Sequence, residues 1–293
     1  MSCFSSLHPL SLAVYFISIF VITMFSQNPL LLLFSISGSV LFFIKTQKNI
    51  KFFKDFGVLM LLFIIITLTN PLFSHKGATV LFFLNQNPVT LEALLYGVNL
   101  SLMLTAVIFW FKCFNLIMSD DKLLFLLSGL SYKIALLISS ALRFIPLIKL
   151  KTEKQKSAQK ALGLYASDTW SDKLKSSARV YSAVVGSGLE SAVDMGDAMK
   201  SRGFNLKPKS RYSLYKFQRS DLVFIIFVLL SDILAFAALG LKKLSFNFYP
   251  IISFEKPNLI GISALALFLA LCLLPFIIDL TEDLKWKYYI SKI

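Results

Sequence analysis

The stretch RFIPLIKLKTEKQKSAQKALG, residues 143–163, opens a basic segment that continues to Arg219 and decides how the chain is organised. Residues 143–219 contain 16 Lys and Arg against 6 Asp and Glu, which supplies +10 of the chain's net charge of +14. Apolar sequence flanks the segment on both sides. Because Lys- and Arg-rich loops between membrane spans remain in the cytoplasm, the pattern predicts a long cytoplasmic arm between two membrane regions.

The composition of the whole chain is typical of a membrane protein. Of its 293 residues 56% are hydrophobic, Phe alone occurs 29 times, and the mean hydropathy is +0.72. Soluble domains are about 45–50% apolar. We therefore expect an all-α polytopic membrane protein with an N-terminal transmembrane region at 1–142, a cytoplasmic helical arm at 143–219 and a C-terminal transmembrane region at 220–293.

Six apolar stretches are candidate membrane crossings, near residues 10–25, 29–44, 57–73, 93–117, 221–241 and 258–280. The first two are short for a hydrocarbon core of about 30 Å, so a re-entrant pair remains an alternative to two crossings. Lysines cluster between Lys45 and Lys54 and again after Thr281. This distribution predicts a multi-pass protein of the cell inner or plasma membrane with both termini in the cytoplasm.

Two apolar stretches lie outside these crossings. Residues 80–84 are expected to form an interfacial piece on the external side. Ser119, followed by Asp120 and Asp121, is typical of a helix N-cap, and it predicts an apolar helix over 122–138 that dips into the membrane and continues into the arm.

Isolated charges inside the crossings are interpreted as structural. Lys112 lies near the inner end of the fourth span, where its long amine can reach water. Asp232 lies in the middle of the fifth span, where a carboxylate is costly unless it is protonated or bonded to a polar neighbour. A proton or ion path through Asp232 is the alternative, and the sequence contains no evident relay partner.

Several function classes are excluded or disfavoured. No basic run with interleaved aromatics forms a recognisable nucleic-acid module, and Cys3, Cys113 and Cys272 lack metal-binding spacing. With only His8 and His75, a membrane enzyme would have few catalytic groups, and a phosphate-binding loop ending in Gly-Lys-Ser/Thr is absent from the sequence. We expect no catalytic residue, no metal site and no cofactor, and no nucleic acid among the partners.

The arm is predicted to contain three helices. The first runs over 139–164 with a kink at Pro146. A second begins near Ser171, and Leu174, Ala178, Tyr181 and Val185 recur at the three- and four-residue spacings of a buried stripe. The glycines of 186–188 are expected to interrupt that helix, so that a last helix covers 189–201.

The last arm helix has a small-residue row and a glycine end. Gly188, Ala192 and Gly196 follow one another at i, i+4, i+8, which permits another helix to cross at close backbone distance or serves ordinary tight packing. Arg202 stands in the last turn, and Gly203 can adopt the left-handed cap conformation, with Phe204 folding back as the apolar contact. Such a cap fixes the direction of the guanidinium, which either complements its own helix dipole or binds carboxylates and carbonyls of another protein.

Several motifs together resemble the transmembrane T component of energy-coupling factor transporters. They are residues 70–77 (NPLFSHKG), 90–97 (TLEALLYG), 141–146 (ALRFIP), 158–163 (AQKALG) and 198–204 (AMKSRGF). The resemblance implies a membrane subunit that links a separate substrate-binding membrane protein, the S component, to two cytoplasmic ABC ATPase subunits. The transported micronutrient, a vitamin or a transition-metal ion such as cobalt or nickel, would bind the S component.

The same resemblance implies where the ATPases dock. In this family two Ala-Arg-Gly-like motifs end crossing coupling helices, and they match Ala161-Leu162-Gly163 and Ser201-Arg202-Gly203, with Leu162 in place of the first arginine. Supporting positions are Arg143, Pro146, Gly188, Ala192 and Gly196. A permease of a conventional ABC importer is the alternative, because Glu190-Ser191-Ala192 with Gly196 resembles the start of its coupling loop.

Overall fold

The computed structural model describes residues 3–46, 51–74, 77–84, 87–163, 170–204, 206, 215–241, 244, 246–250, 252–254 and 258–291. The described residues form the helices α1 Pro9–Phe25, α2 Pro29–Thr46, α3 Lys51–Phe73, α4 Leu91–Ile117, α5 Asp120–Leu130, α6 Tyr132–Ala161, α7 Trp170–Ser201, α8 Arg219–Gly240 and α9 Leu259–Ile290. A short 3-10 helix, Cys3–Ser6, precedes α1. The strands form two antiparallel pairs: β1 Val80–Leu84 pairs with β2 Asn87–Thr90, and β3 Phe246–Asn247 pairs with β4 Ser253–Phe254.

The chain divides into two compact units. Unit 1 contains Met1–Leu123 and Tyr215–Ile293, and unit 2 contains Leu124–Leu214. The chain therefore leaves unit 1 after Leu123 and returns to it at Tyr215. The functional boundaries expected at residues 142 and 219 stay a prediction.

Unit 1 carries the candidate membrane spans. In the described part of the chain, α2, residues Phe56–Phe73 of α3, α4, α8 and α9 are long and apolar enough to cross a membrane. The all-α polytopic membrane fold is thereby confirmed. Helix α1 is apolar but has 17 residues, fewer than the about 20 that a perpendicular crossing needs, so the count of six crossings stays a prediction.

Aromatic side chains and a few polar bonds hold the core of unit 1 together. Tyr15 and Trp110 are completely buried and meet edge to face, with ring centroids 6.1 Å apart. The Trp110 Nε1–H donates to Ser35 Oγ at 2.9 Å, and the Tyr15 hydroxyl donates to the Leu271 carbonyl at 3.1 Å. These bonds satisfy polar atoms that would be costly to bury alone, and they tie α4 to α2 and α1 to α9.

One glycine makes close backbone contact possible between α2 and α9. A Cβ built on Gly38 would lie 2.7 Å from both the Cβ and the carbonyl oxygen of Cys272. Any side chain at this position would force the two helices apart. The glycine therefore sets the distance between α2 and α9.

Residues 80–84 form strand β1, which pairs with β2, and their position at the membrane interface stays a prediction. Two other local predictions were wrong. The helix expected over 122–138 is two helices, because Ser131 has an extended conformation (φ −152°) between α5 and α6. Consequently the first arm helix begins at Tyr132 and not at residue 139, and it continues through Pro146 to Ala161.

Candidate coupling site

Helices α6 and α7 pack against each other within unit 2. The buried stripe of α7 consists of Ser176, Val180 and Val184, at spacings of four residues. The Lys151 ammonium of α6 donates to the Ser187 carbonyl at 3.2 Å and to Ser191 Oγ at 2.8 Å. Lys151 therefore fixes one helix against the other near the middle of α7.

The second candidate docking end follows α7. The Gly203 N–H donates to the Lys200 carbonyl at 3.0 Å, and the Phe204 N–H donates to the Met199 carbonyl at 3.1 Å. Gly203 has φ +77°, the left-handed conformation that a glycine adopts without steric cost. These two bonds form a Schellman cap, and they confirm the left-handed cap conformation predicted for Gly203.

The cap leaves the two polar residues of the motif exposed. Arg202, which immediately precedes Gly203, is exposed, and so is Ser201. The Ser201 hydroxyl donates to the Asp197 carbonyl at 2.9 Å. Phe204 stacks on Tyr132 at the start of α6, with ring centroids 5.8 Å apart and planes 25° from parallel. This stacking anchors the second end to the first arm helix.

The first candidate docking end follows α6 and repeats the same backbone geometry. The Leu162 N–H donates to the Ala158 carbonyl at 3.1 Å, the Gly163 N–H donates to the Lys160 carbonyl at 3.0 Å, and Gly163 has φ +72°. Ala161 is exposed, and the Leu162 side chain is 75% exposed. The two ends thus present the same backbone with a leucine at one and an arginine at the other.

The supporting residues lie on the two arm helices. Arg143 and Pro146 are exposed on α6. Gly188, Ala192 and Gly196 lie on α7, but a Cβ built on Gly188 or Gly196 would meet no atom within 4 Å. In the described part of this chain, the close helix crossing expected at these glycines is not made.

Two predictions about α7 were wrong. Residues 186–188 do not interrupt the helix, which is continuous over Trp170–Ser201. The expected buried stripe is exposed instead: Leu174 is 61%, Tyr181 73% and Val185 40% accessible. The predicted stripe is therefore not the face of α7 that is buried in this chain.

This exposed face borders an open groove between α6 and α7 of about 960 Å³. Its lining is mainly apolar, including Phe144, Ile148, Tyr181, Val185 and Leu189. Lys156 and Thr152 add polar groups from α6, and the small residues Gly188 and Ala192 occupy little of the groove on the α7 side. Such a groove fits a partner with an apolar surface.

Sequence reasoning missed the residues that hold α6 and α7 together. Lys151 was counted only as one of many cytoplasmic charges, and Tyr132 lay in the expected membrane-dipping helix. Ser187 and Ser191 lie four residues apart and therefore on one face of α7, which could have indicated a polar contact there with a side chain of α6 such as Lys151. Nothing in the sequence pairs Tyr132 with Phe204.

The isolated charged residues of unit 1 have local partners. Ser18 Oγ donates to Asp232 Oδ2 at 2.5 Å, which confirms that this carboxyl is bonded to a polar neighbour. The Lys112 ammonium lies 5.9 Å from the centroid of the Phe43 ring. Among the residues that the structure describes, no group of three or more His, Cys, Asp or Glu is arranged to hold a metal ion.

Comparison with known proteins identifies the family. Residues 2–213 match the family model of the cobalt transport protein CbiQ. The chain is also 32% identical over 175 residues to the energy-coupling factor transporter transmembrane protein EcfT of Listeria innocua serovar 6a. That match covers 56% of this chain and 66% of the relative, just under two thirds of its length. The chain belongs to the EcfT/CbiQ family of transmembrane transport proteins.

Proposed function

We propose that the chain is the transmembrane coupling subunit of an energy-coupling factor importer. It transmits ATP-driven motion from two cytoplasmic ABC ATPase subunits to a separate substrate-binding S component. The imported substrate is a micronutrient, either a vitamin or a transition-metal ion. The family match and the name of the Listeria relative support this proposal.

The observation that carries the proposal is the uncovered apolar groove between α6 and α7. A helix pair that functioned alone in water would cover most of its large apolar side chains, because burial of each contributes about 1.5–3 kcal/mol. Here Tyr181 and Val185 remain exposed beside the groove, while Ser176 is completely buried. The groove is therefore proposed as the surface on which the S component docks.

The two capped ends support docking of two ATPases. Ala161-Leu162-Gly163 and Ser201-Arg202-Gly203 are exposed except for Gly203, which is half-buried. Each follows the end of a separate long helix in unit 2. A left-handed glycine cap holds the preceding side chain in a defined direction, as insertion into a groove of a partner requires.

Contacts at one end of unit 1 support the proposed orientation. Lys45, at the end of α2, forms an ion pair with Asp283 near the end of α9. The Phe4 N–H donates to Asp279, one turn earlier on α9. These contacts bring residue 4 and Lys45 to the same end of α9. With the basic arm, they support cytoplasmic termini.

Membrane sidedness is tested by labelling single cysteines in intact cells, in a variant without the natural cysteines. Lys154→Cys should react only with a membrane-permeant reagent, and Tyr249→Cys should also react with an impermeant one. External labelling at position 154 would contradict the orientation.

Copurification tests the function itself. The chain is co-expressed with the two ATPases and an S component, and the groove variant Val185→Lys is compared with Val193→Lys. Both valines are exposed on α7, but only Val185 lines the groove. We expect Val185→Lys to lose the S component and keep the ATPases, and Val193→Lys to keep both. Absence of ATPases from the wild-type complex would refute the proposal.

The alternative of a conventional ABC permease lacks support from the arm. Its coupling motif would interrupt helical structure as a loop, whereas Glu190, Ser191, Ala192 and Gly196 all lie inside the continuous helix α7. Ser191 is engaged with Lys151 of α6. No observation favours this second candidate.

A further inference from the structure

Residues Phe4–Ser11 contact both places where the chain passes between unit 1 and unit 2. The chain leaves unit 1 after Leu123 and returns at Tyr215. Lys122 lies one residue before the exit, and Asp221 lies six residues after the return. Both side chains are buried and both bind Phe4–Ser11, which we call the clasp.

Lys122 provides the bond at the exit. Its ammonium donates to the Ser5 carbonyl at 2.5 Å and to the carbonyl of Ile117, the last residue of α4, at 3.1 Å. Lys122 is only 8% exposed, and burial lowers its pKa below the usual lysine value. Because hydrogen bonds to a charged group are stronger than neutral ones, this side chain fixes the first turn of α5 to both the clasp and α4.

Asp221 provides the bond at the return. Its Oδ1 accepts from the His8 N–H at 3.0 Å and from Ser11 Oγ at 3.3 Å, and its Oδ2 accepts from the Gln218 N–H at 2.9 Å. The carboxylate thus joins the start of α1 to the start of α8. Phe217 adds an edge-to-face contact with the His8 ring at 5.2 Å between centroids.

The clasp is itself immobilised in unit 1. The Phe4 ring is completely buried among Tyr15, Phe16, Phe42 and Phe224, with centroid distances of 5.3 to 6.5 Å. The Phe4 N–H donates to the buried carboxylate of Asp279 on α9 at 2.9 Å. The clasp therefore connects α1, α2, α8 and α9 to the first turn of α5.

From these contacts we propose that the clasp positions the first turns of α5 and α8, the helices that precede and follow the coupling arm in the chain, with Lys122 and Asp221 as positioning residues, so that movement of the arm is passed to the membrane helices at both points together. This inference rests on the proposed coupling function. Without the clasp, the first turns of α5 and α8 could move independently, and part of the arm's movement would not reach the membrane helices. ATP would then be hydrolysed with less transport.

The test uses the complete transporter in lipid nanodiscs and proteoliposomes, and measures substrate uptake per ATP hydrolysed. Lys122→Met removes the bonds at nearly the same side-chain length, Lys122→Arg restores the charge and donors, and Lys133→Met removes an exposed lysine as the control. We expect Lys122→Met to lower uptake per ATP at least about fivefold, the low end of typical coupling between two sites. Lys122→Arg should recover most of it, and Lys133→Met should equal wild type. A loss of folded protein alone would lower uptake and hydrolysis together and leave their ratio unchanged.

Amide hydrogen exchange, measured on the chain without its partners, tests the clasp independently of the proposed coupling function. In Lys122→Met, exchange should accelerate in residues 4–11 and also in 217–222, although the substituted side chain contacts neither His8 nor Asp221 directly. Unchanged exchange in 217–222 would show that the clasp does not link the two points. Accelerated exchange with normal uptake per ATP would refute its role in transmission. Failure of the wild-type chain to bind ATPases would refute the coupling function but leave the exchange result intact.

Discussion

The two candidate docking ends differ in one charged side chain, and substitutions of that side chain test whether they bind their ATPases differently. Both present the same left-handed glycine cap, with φ +72° at Gly163 and +77° at Gly203. What differs is the preceding side chain, Leu162 or Arg202. We expect the Arg202 end to bind its ATPase through charge and the Leu162 end through apolar burial.

The expected magnitudes follow from what each side chain can contribute. Leu162 is 75% exposed, so docking could bury most of it, and truncation to alanine removes three carbons worth at most about 2.4 kcal/mol. Loss of hydrogen bonds from an arginine costs about 1.5–3 kcal/mol, or roughly 10- to 150-fold in affinity. The two losses overlap in size, so affinity at a single salt concentration does not separate the mechanisms.

Charge reversal and salt separate them. Arg202→Glu adds repulsion to the lost attraction, so it should weaken ATPase binding more than the neutral, similarly long Arg202→Met. Raising the salt from 0.1 to 1 M shortens the screening length from about 10 to about 3 Å, which should weaken wild-type binding at the Arg202 end and not at the Leu162 end. Leu162→Arg should make the first end salt-sensitive as well.

The assay is ATPase affinity and substrate uptake for Arg202→Glu, Arg202→Met, Leu162→Ala and the double variant Arg202→Glu with Leu162→Ala, at both salt concentrations. Independent contacts should give additive free-energy losses in the double variant. Equal losses from Leu162→Ala and Arg202→Glu, with no salt dependence for either, would refute the asymmetry and indicate one apolar mechanism at both ends.

Three further substitutions test the structure elsewhere. Gly38→Ala should destabilise the protein by about 1–3 kcal/mol in thermal unfolding in detergent, because its Cβ would lie 2.7 Å from Cys272 atoms. The control Gly57→Ala, whose Cβ would meet no atom within 4 Å, should be neutral or slightly stabilising. Equal effects of the two substitutions would contradict the close contact between α2 and α9. Gly163→Ala should cost about 1–2 kcal/mol for an alanine in the left-handed conformation and accelerate amide exchange at the end of α6, and unchanged exchange would argue against the cap. Asp232→Asn keeps an acceptor for Ser18 Oγ, so uptake by the assembled complex should remain close to wild type, and abolished uptake would show that the carboxyl serves transport.

The elements that depend on local chemistry could be predicted from the sequence. The span expected at 10–25 is α1, Pro9–Phe25, and the one expected at 29–44 is contained in α2, Pro29–Thr46, because an uncharged run and the Gln27-Asn28-Pro29 break are both local signals. The glycine caps after α6 and α7 were predictable for the same reason. A positive-φ glycine after the last helical turn depends only on its neighbours along the chain.

Contacts between distant residues could not be predicted in this way. The clasp depends on Asp221 and Asp279, two buried carboxylates that bind backbone amides over 200 residues away in sequence. In the sequence both resemble ordinary charges near the ends of spans. Their role is visible only when α1, α8 and α9 are packed together.

The error over α7 has a different origin, which bears on function. Leu174 and Tyr181 have larger side chains than Ser176, Val180 and Val184, and with Val185 they recur at helical spacing, so the periodicity argument selected the first set as the buried stripe. The chain buries the second set, since small side chains let α6 approach α7 and Lys151 reach the serines of α7. Periodicity indicates which residues of a helix share a face, but it does not indicate which face the packing of the chain covers. The predicted stripe was therefore wrong for this chain, because α6 covers Ser176, Val180 and Val184 instead. Under the proposed function, the S component would cover Tyr181 and Val185.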